Sequence, residues 1–223
     1  MNEYSLHSDI KRIYSLPGDH FEVKLDSYIV DILRGQLVIE VQTKNFSALK
    51  EKLQMLTEKH QVILVYPLPE KKWITHITKD NTVISKRKSP KKGKLSDLFR
   101  ELVMIPQMIG DKNFALEVTF IDEEEVRCND GKGSWRRRGV SIKERRLLRV
   151  NGKILFQNKN DYLKMLPDSL NQIFTNRELA KLAKIPVRTA RQMTYCFRKG
   201  NIIRIAEKDG REFKFQKVEN KST

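Results

Sequence analysis

Two apolar runs joined by a tight turn place acidic side chains where a buried hairpin would otherwise be apolar. The segment Tyr28–Asn45 reads YIVDILRGQLVIEVQTKN. Its β-branched, aromatic and leucine residues predict central strands at Tyr28–Leu33 and Leu37–Val41. Asp31 interrupts the first strand and Glu40 the second. A carboxylate inside such a strand is costly unless it is paired or binds a metal, so this hairpin must supply a partner for buried charge.

The turn between the strands decides whether the two acids meet. If Gly35–Gln36 forms a two-residue turn, Asp31 lies directly opposite Glu40, with Cβ atoms about 4.5–5.5 Å apart. A turn shifted by one residue toward the N-terminus still keeps Glu40 and Gln42 on the face of Asp31, because side chains alternate with a period of two. A three-residue loop without a bulge would separate the acids. Opposed carboxylates can bind one divalent cation, and Mg²⁺ or Mn²⁺ is the predicted cofactor.

The flanking segments place this hairpin in a larger α/β unit. The apolar pattern predicts a helix at Ser5–Leu16, a strand at Phe21–Leu25, a helix at Asn45–Lys59 and a buried strand at Gln61–Tyr66. This order of helix, three antiparallel strands, helix and strand, with acids on the second and third strands, resembles the PD-(D/E)XK nuclease superfamily. The resemblance covers roughly residues 1–68 and implies a restriction-endonuclease-like core, which archaeal Holliday-junction resolvases share.

The resemblance implies roles for the polar residues of the hairpin. Asp31 and Glu40 would be metal ligands. Gln42 stands where the family motif usually has lysine, an ExQ variant, and its amide can orient a water but cannot act as a base. Lys44 and Lys50 are the two candidates for the missing lysine.

The superfamily also has an acid on its first helix. Glu3 lies just ahead of the Leu6 and Ile10 stripe and is the candidate here, with His7 and Asp9 as alternatives. A frayed, solvated charge at the N-terminus is an equally good interpretation of Glu3.

An excess of positive charge predicts a polyanionic partner. The 223 residues include 44 Lys and Arg against 28 Asp and Glu, a formal net charge of +16, and nucleic acid is the default partner of so basic a chain. No apolar run approaches the ~20 residues that span a bilayer.

Two cysteines far apart in sequence predict a cytoplasmic protein with reduced thiols. The absence of CxxC, HExxH, GxSxG and P-loop motifs argues against zinc hydrolases, serine hydrolases and P-loop NTPases.

The segment Ser85–Lys94 is strongly basic, with six Lys and Arg and no acid. It separates a predicted hairpin, Trp73–Ile77 with Thr82–Ser85, from a predicted helix at Leu95–Met108. The segment is either a mobile loop that contacts DNA phosphates or a solvated linker, and the uncompensated charge favours contact. The candidates for contact are Lys86, Arg87, Lys88, Lys91 and Lys92.

A strand predicted at Phe114–Ile121 ends in four consecutive acids, Asp122–Glu125. These acids are either a second metal site or, as we favour, partners in salt bridges, since neighbouring like charges repel rather than converge. Trp135 either stacks on a base or covers a hydrophobic edge. The expected salt-bridge partners, which are also candidates for DNA contact, are Arg136, Arg137 and Arg138.

After about residue 170 the pattern changes to short helices and a terminal hairpin. Thr175 and Glu178 form a capping box at the start of one helix. A second helix spans about Val187–Lys199 and ends at Gly200. The hairpin turns at Lys208–Gly210.

This order resembles a winged helix-turn-helix domain over roughly residues 170–218. The resemblance implies that the second helix lies in the DNA major groove and that the hairpin wing contacts phosphates. Winged helices also bind proteins, but twelve basic against four acidic residues over 175–217 favour DNA. The residues assigned to DNA contact are Arg188, Arg191, Gln192, Lys208 and Arg211.

The sequence therefore predicts an α/β protein with a restriction-endonuclease-like mixed sheet flanked by helices at 1–160 and a small C-terminal winged-helix domain at 170–218. An Asn151-Gly152 hairpin turn is expected to extend the sheet of the first domain. The predicted function is metal-dependent hydrolysis of phosphodiester bonds in double-stranded DNA, and a homodimer would supply the two sites needed to cut both strands. The alternatives are a non-catalytic DNA-binding regulator and a nuclease subunit of a transposase- or restriction-type assembly whose winged helix binds a partner protein.

Overall fold

The computed structural model describes residues 5–210 and 212–218, and within them the chain is an α/β protein with a large mixed sheet flanked by helices. The helices are α1 (Ser5–Tyr14), α2 (Lys50–Lys59), α3 (Phe99–Leu102), α4 (Lys159–Leu163), α5 (Asn176–Leu182) and α6 (Val187–Lys199). The strands are β1 (His20–Leu25), β2 (Tyr28–Arg34), β3 (Leu37–Val41), β4 (Gln61–Ile77), β5 (Val83–Lys88), β6 (Phe114–Asn129), β7 (Val140–Phe156), β8 (Ile173–Thr175), β9 (Ile203–Asp209) and β10 (Glu212–Lys217). No helix in these ranges is long and apolar enough to cross a membrane.

The seven-stranded sheet has the order β1-β2-β3-β4-β6-β7, and β5 pairs with the outer half of β4. Pairing is antiparallel from β1 to β3, parallel from β3 through β4 to β6, and antiparallel between β6 and β7. The predicted order of helix, three antiparallel strands, helix and strand is confirmed. The α2 crossover between β3 and β4 is what allows these two strands to be parallel.

Helices cover both faces of this sheet because its central strands are apolar on both sides. On one face, Leu6 and Ile10 of α1 pack against a cluster that includes Ile39 of β3. On the other face, Leu53 and Leu56 of α2 join the larger core, which also includes α3 and α6. The hairpin acids therefore lie between two helical layers.

The predicted hairpin turn at Asn151-Gly152 is wrong. Strand β7 runs without a break through these residues, and the register against β6 shifts there by one residue, from Phe120 opposite Gly152 to Ile121 opposite Val150. Asn151 is thus a β-bulge, and its side-chain amide donates hydrogen bonds to the carboxylates of Glu70 (2.8 Å) and Asp122 (2.9 Å). The long partner strand β6 extends the pairing on both sides of the dipeptide, which a two-residue turn would have ended.

The central segment also departs from the prediction. The first half of the basic run forms β5, in which Lys88 pairs with Trp73 of β4, so this half is neither a loop nor a linker. The predicted helix at Leu95–Met108 is broken into 3₁₀ turns on either side of α3. Pro106 starts the second of these turns, and its missing N–H prevents a continuous helix.

The C-terminal module consists of α5, α6 and the three-stranded sheet β8-β10-β9. The Thr175 capping box and the bounds of α6 are as predicted. The module packs on the first part of the chain, where the rings of Phe99 and Phe197 meet edge to face at 5.3 Å between centroids. Both rings are fully buried, so the segments 1–160 and 170–218 share one hydrophobic core.

Candidate functional site

Asp31 and Glu40 lie across from each other where β2 and β3 separate. Arg34 pairs with Leu37 and Ile32 with Ile39, as the two-residue turn predicts, and this register continued by one residue sets Asp31 opposite Glu40. The backbone ladder between the two strands ends just before the acids. Glu40 is 3% exposed, so its carboxylate lies inside the fold.

Side-chain bonds replace the strand ladder at this point. The backbone N–H of Val41 donates to Oδ2 of Asp31 at 2.8 Å, and the backbone N–H of Asp31 donates to Oε1 of Glu40 at 3.1 Å. Each carboxylate therefore satisfies a backbone donor that the opening of the strands would leave unpaired. These reciprocal bonds orient both acids in the gap between β2 and β3.

Each acid is paired with groups from a different helix. Nε2 of His7 on α1 lies 3.1 Å from Oδ2 of Asp31, and Nζ of Lys11 lies 3.7 Å from its Oδ1. Nζ of Lys52 on α2 lies 2.7 Å from Oε2 of Glu40. Of the candidates on the first helix, His7 is the one that the structure describes beside Asp31. Glu3 itself lies outside the described residues.

The two carboxyl groups have pKa values shifted in opposite directions. Burial and the charge of Asp31 raise the pKa of Glu40 to about 7, against the lowering effect of Lys52. Burial also favours protonation of Asp31, but the hydrogen bond and charge of His7, with the Val41 N–H and Lys11, outweigh it and lower the pKa of Asp31. Neighbouring acids with separated pKa values are typical of sites that handle protons or cations.

The other predicted site residues do not reach the acids. Nε2 of Gln42 donates to the backbone carbonyls of Lys44 (2.6 Å) and Asn45 (3.2 Å), so this amide closes the turn after β3. The side chains of Lys44 and Lys50 are exposed to solvent. Asp9 accepts a hydrogen bond from the backbone N–H of Leu147 (3.2 Å) and thus binds α1 to β7.

Lys52 was not among the predicted site residues, although the sequence contains a signal for it. Its ammonium also donates to the carbonyl of Ile29 at 2.6 Å, which holds it at the start of β2. Leu49, Leu53 and Leu56 form the buried stripe of this segment. Position 52 lies on that same stripe, because residues three and four apart share a helix face. A lysine on the apolar stripe of a helix that covers a sheet must find a buried acid.

The donor set suits a hard divalent cation. Carboxylate oxygens are the ligands that Mg²⁺ prefers, and Mg²⁺ is commonly bound by one or two carboxylates together with waters. A cation beside Asp31 and Glu40 would also relieve the charge repulsion that contributes to the raised pKa of Glu40. In the described ranges, no group of three or more His, Cys, Asp or Glu side chains is arranged to bind a metal.

The four acids of Asp122–Glu125 are all buried and form salt bridges, but not with the predicted arginines. Their partners come from the neighbouring strands β4, β5 and β7 and from β6 itself. The shortest contacts are Lys72 to Glu123 at 2.6 Å, Arg127 to Glu125 at 2.6 Å and Lys86 to Glu124 at 2.8 Å. Arg136, Arg137 and Arg138 lie in the loop beyond the end of β6, so strand pairing brings other cations to the acids.

The predicted DNA-contacting residues of the central segment differ in their surroundings. Lys86 is paired with Glu124, and Nζ of Lys88 lies 5.7 Å from the ring centroid of Trp73. Arg87, Lys91 and Lys92 are exposed.

A groove of ≈540 Å³ lies between α6 and the β9–β10 hairpin. Arg191, Tyr195 and Arg198 of α6 line one side and Phe213 of β10 lines the other. Arg188 at the start of α6 is exposed. The groove thus combines arginines with aromatic rings, and the carboxylates of Asp209 and Glu212 also line it.

The remaining predicted contacts of this module are Gln192, Lys208 and Arg211. Gln192 is half-buried on α6. Nζ of Lys208 lies 5.8 Å from the ring centroid of Phe213, so its charge is held at the hairpin. Arg211 lies outside the described residues.

The chain is similar to a family model described as "Domain of unknown function (DUF8091)", which matches residues 4–157. It is also 31% identical over 180 residues to a protein of Treponema pallidum (strain Nichols) described as an uncharacterized protein, a match that covers 80% of this chain and 72% of that protein. No solved structure matches. The family match includes Asp31, Glu40 and Lys52 and ends just after β7. The chain therefore belongs to the DUF8091 family.

Proposed function

We propose that this chain is a divalent-metal-dependent DNA endonuclease, with a restriction-endonuclease-like core and a C-terminal winged helix-turn-helix. The observation that carries the proposal is the meeting of Asp31 and Glu40 where β2 and β3 separate, with Lys52 2.7 Å from Glu40. A buried and a half-buried carboxylate beside a lysine, in a chain of net charge +16, fit metal-assisted attack of water on a phosphodiester.

Asp31 and Glu40 would hold Mg²⁺ or Mn²⁺, which lowers the pKa of a bound water and offsets charge on the phosphorane-like transition state. The N–H of Val41 binds one carboxylate oxygen of Asp31, and the N–H of Asp31 binds one carboxylate oxygen of Glu40. These bonds orient the second oxygen of each carboxylate. Lys52 is held by Glu40 and by the carbonyl of Ile29. Its ammonium would offset negative charge on the scissile phosphate. This is the role that the PD-(D/E)XK motif gives to its lysine.

Double-stranded DNA is the proposed substrate, and the C-terminal module is proposed to position it. Arg188, Arg191 and Gln192 would contact the major groove from α6, while Lys208 would contact phosphates from the hairpin. A second copy of the chain would supply the site for the second strand.

A non-catalytic DNA-binding regulator is the second candidate, and the position of Gln42 favours it. The amide of Gln42 is engaged with the backbone of Lys44 and Asn45 and does not face the acids. Lys11 and Lys52 each lie beside one of the two carboxylates. Such a pair of acids can be stable in the fold without a metal.

Nicking of supercoiled plasmid with Mg²⁺ or Mn²⁺ tests the proposal. The wild-type chain is compared with Asp31→Asn, with Glu40→Gln, with the Asp31→Ala/Glu40→Ala double variant and with Glu51→Gln, which changes an exposed acid on α2. We expect metal-dependent nicking that falls by at least about 10²-fold in the three site variants and is unchanged in Glu51→Gln.

Two results would reject the nuclease. Nicking that persists in the double variant would come from another site or another protein. Salt-sensitive DNA binding without any nicking, equal in the wild type and the double variant, would identify the chain as a DNA-binding regulator.

A further inference from the structure

The loop that joins β6 to β7 presents an exposed tryptophan. This tip loop, Asp130–Gly139, lies at the end of two long paired strands, and Trp135 within it is 82% exposed. Indole rings bury a large apolar area when they have a partner. An indole held this far in solvent is therefore a candidate contact point for another molecule, and the proposed catalytic and winged-helix surfaces do not include it.

The tip loop is closed by its own backbone. The N–H of Gly133 donates to the carbonyl of Gly139 at 2.9 Å, and a Cβ on Gly133 would lie only 1.9 Å from the carbonyl oxygen of Val140. Nε of Arg137 donates to that same carbonyl at 3.1 Å. The loop thus needs glycine at position 133 and uses one of its arginines internally, which leaves Trp135 on an ordered turn.

The charge of the tip loop favours a polyanion. Residues 130–139 contain four Lys and Arg and one acid, and that acid, Asp130, is paired with Lys143 at 2.7 Å. The guanidinium of Arg136 lies 5.4 Å from the centroid of the Trp135 ring, and a guanidinium at this distance stacks on an aromatic face. Arg138 is exposed. An exposed aromatic ring with a cation on one face and another beside it combines the two features of platforms that bind single-stranded nucleic acid, and a base would stack on its other face.

We propose that Trp135 stacks on an unpaired base of DNA, with Arg136 and Arg138 on the adjoining phosphates. The inference rests on the proposed function for the choice of DNA as the polymer. Unpaired bases expose the π-faces that stacking needs, whereas bases inside a duplex already stack on their neighbours. The substrate would thus contain duplex with a single-stranded segment.

The strand register indicates where that segment lies relative to the acids. Glu40 is level with Leu64 of β4, and Leu64 is level with Leu116 of β6. Strand β6 then continues to Asn129, a path of about 40 Å at the usual rise per residue. At the duplex rise of about 3.4 Å per base pair, this length of strand corresponds to roughly a dozen base pairs between the level of the Asp31–Glu40 site and the start of the tip loop.

Tryptophan fluorescence tests the stacking directly. Trp73 is the other of the two tryptophans in the chain, so the Trp73→Phe variant reports on Trp135 alone. The Trp73→Phe variant is titrated, in the presence of EDTA, with a single-stranded oligonucleotide, an abasic strand of the same length, a blunt duplex and anionic vesicles. If Trp73→Phe does not fold, the fluorescence of Trp135→Phe is subtracted from that of the wild type to obtain the signal of Trp135.

We expect quenching by the single strand, with much less from the abasic strand at equal phosphate. Trp135→Ala should weaken single-strand binding by about 10-fold. Leu148→Ala removes an exposed apolar side chain elsewhere, on β7, and should leave this binding unchanged. Equal fluorescence responses to the abasic and the base-containing strand would mean that the loop contacts only the phosphates, which would overturn the proposal. A response to vesicles but not to oligonucleotides would overturn it in favour of a membrane.

The EDTA condition separates this inference from the proposed nuclease. Quenching by the single strand, without nicking of the plasmid or of a duplex that carries a single-stranded tail, would support Trp135 as a DNA contact and reject the nuclease. Nicking without any base-dependent fluorescence change would support the nuclease and reject Trp135 as a base-stacking contact.

Discussion

Lys52 Nζ lies 2.7 Å from Glu40 Oε2, an ion pair that joins helix α2 to strand β3. The contact exists because α2 packs its Leu53 and Leu56 stripe on the sheet face that Glu40 also approaches. It places a lysine beside the hairpin acids in a chain whose motif position has Gln42 instead.

Replacing Lys52 should affect activity far more than replacing Lys50. Lys52→Met removes the ammonium beside Glu40, and we expect plasmid nicking to fall by about 10²-fold or more. Lys50→Met changes an exposed side chain two residues away on the same helix and serves as the matched control. Equal nicking rates for the two variants would remove Lys52 from the proposed site.

The raised pKa of Glu40 should make the protein less stable as the pH rises. Its pKa is about 7 in the fold against an ordinary value of 4.5, so between these pH values the folded protein binds more protons than the unfolded chain. The free energy of unfolding therefore decreases across this window, by up to about 3 kcal/mol from this residue. Urea unfolding at a series of pH values measures the change.

Glu40→Gln provides the control for this prediction, since an amide does not titrate. The variant should lose this part of the pH dependence, and parallel curves for the two proteins would contradict the assignment. Mg²⁺ at about pH 8 should then stabilise the wild type more than the variant, because a cation that binds only the folded state shifts the equilibrium toward it.

The shared core of the two segments should be visible in unfolding. Phe99 and Phe197 are fully buried and meet edge to face, so Phe197→Ala should cost about 3–5 kcal/mol through the cavity that it leaves. The double variant with Phe99→Ala should show a coupling of about 0.5–1.5 kcal/mol. Urea unfolding measures both values. Additive losses would mean that the rings do not contribute through their mutual contact.

The arginines of α6 should contribute to DNA affinity in a salt-dependent way. Arg188→Ala/Arg191→Ala should weaken duplex binding and lower the slope of log affinity against log salt by about one for each phosphate that these arginines neutralise. Lys164→Ala is a control that removes one positive charge away from α6, because Lys164 follows α4 and is paired with Asp161 at 3.0 Å. Fluorescence anisotropy at several salt concentrations would show the difference. Equal slopes in all three proteins would place the DNA elsewhere.

Local signals predicted much of the fold correctly. The limits of α6 follow from Pro186 before it and Gly200 after it, and the Thr175 capping box starts α5. The turn at Gly35–Gln36 predicted that Arg34 pairs with Leu37, which placed Asp31 opposite Glu40. In each of these cases the residues that decide the structure are close together in the chain.

The long strands could not be predicted in this way. Asn151-Gly152 is a strong local turn signal, but β6 extends β7 on both sides of it and turns the dipeptide into a bulge. The same pairing supplies cations from β4, β5 and β7 to the acids of Asp122–Glu125. A strand's length and neighbours depend on residues far away in sequence, so the local pattern contains only part of the information.

The sequence by itself determined the hairpin with its two opposed acids, the order of elements around it and the basic character of the chain, since each depends on spacing or composition. Only the tertiary structure decided that Lys52 and His7 accompany the acids, that Gln42 turns away, and that the C-terminal module joins the main core. These outcomes depend on how α1, α2 and α6 pack on the sheet. Packing is set by many weak non-local contacts rather than by any one segment.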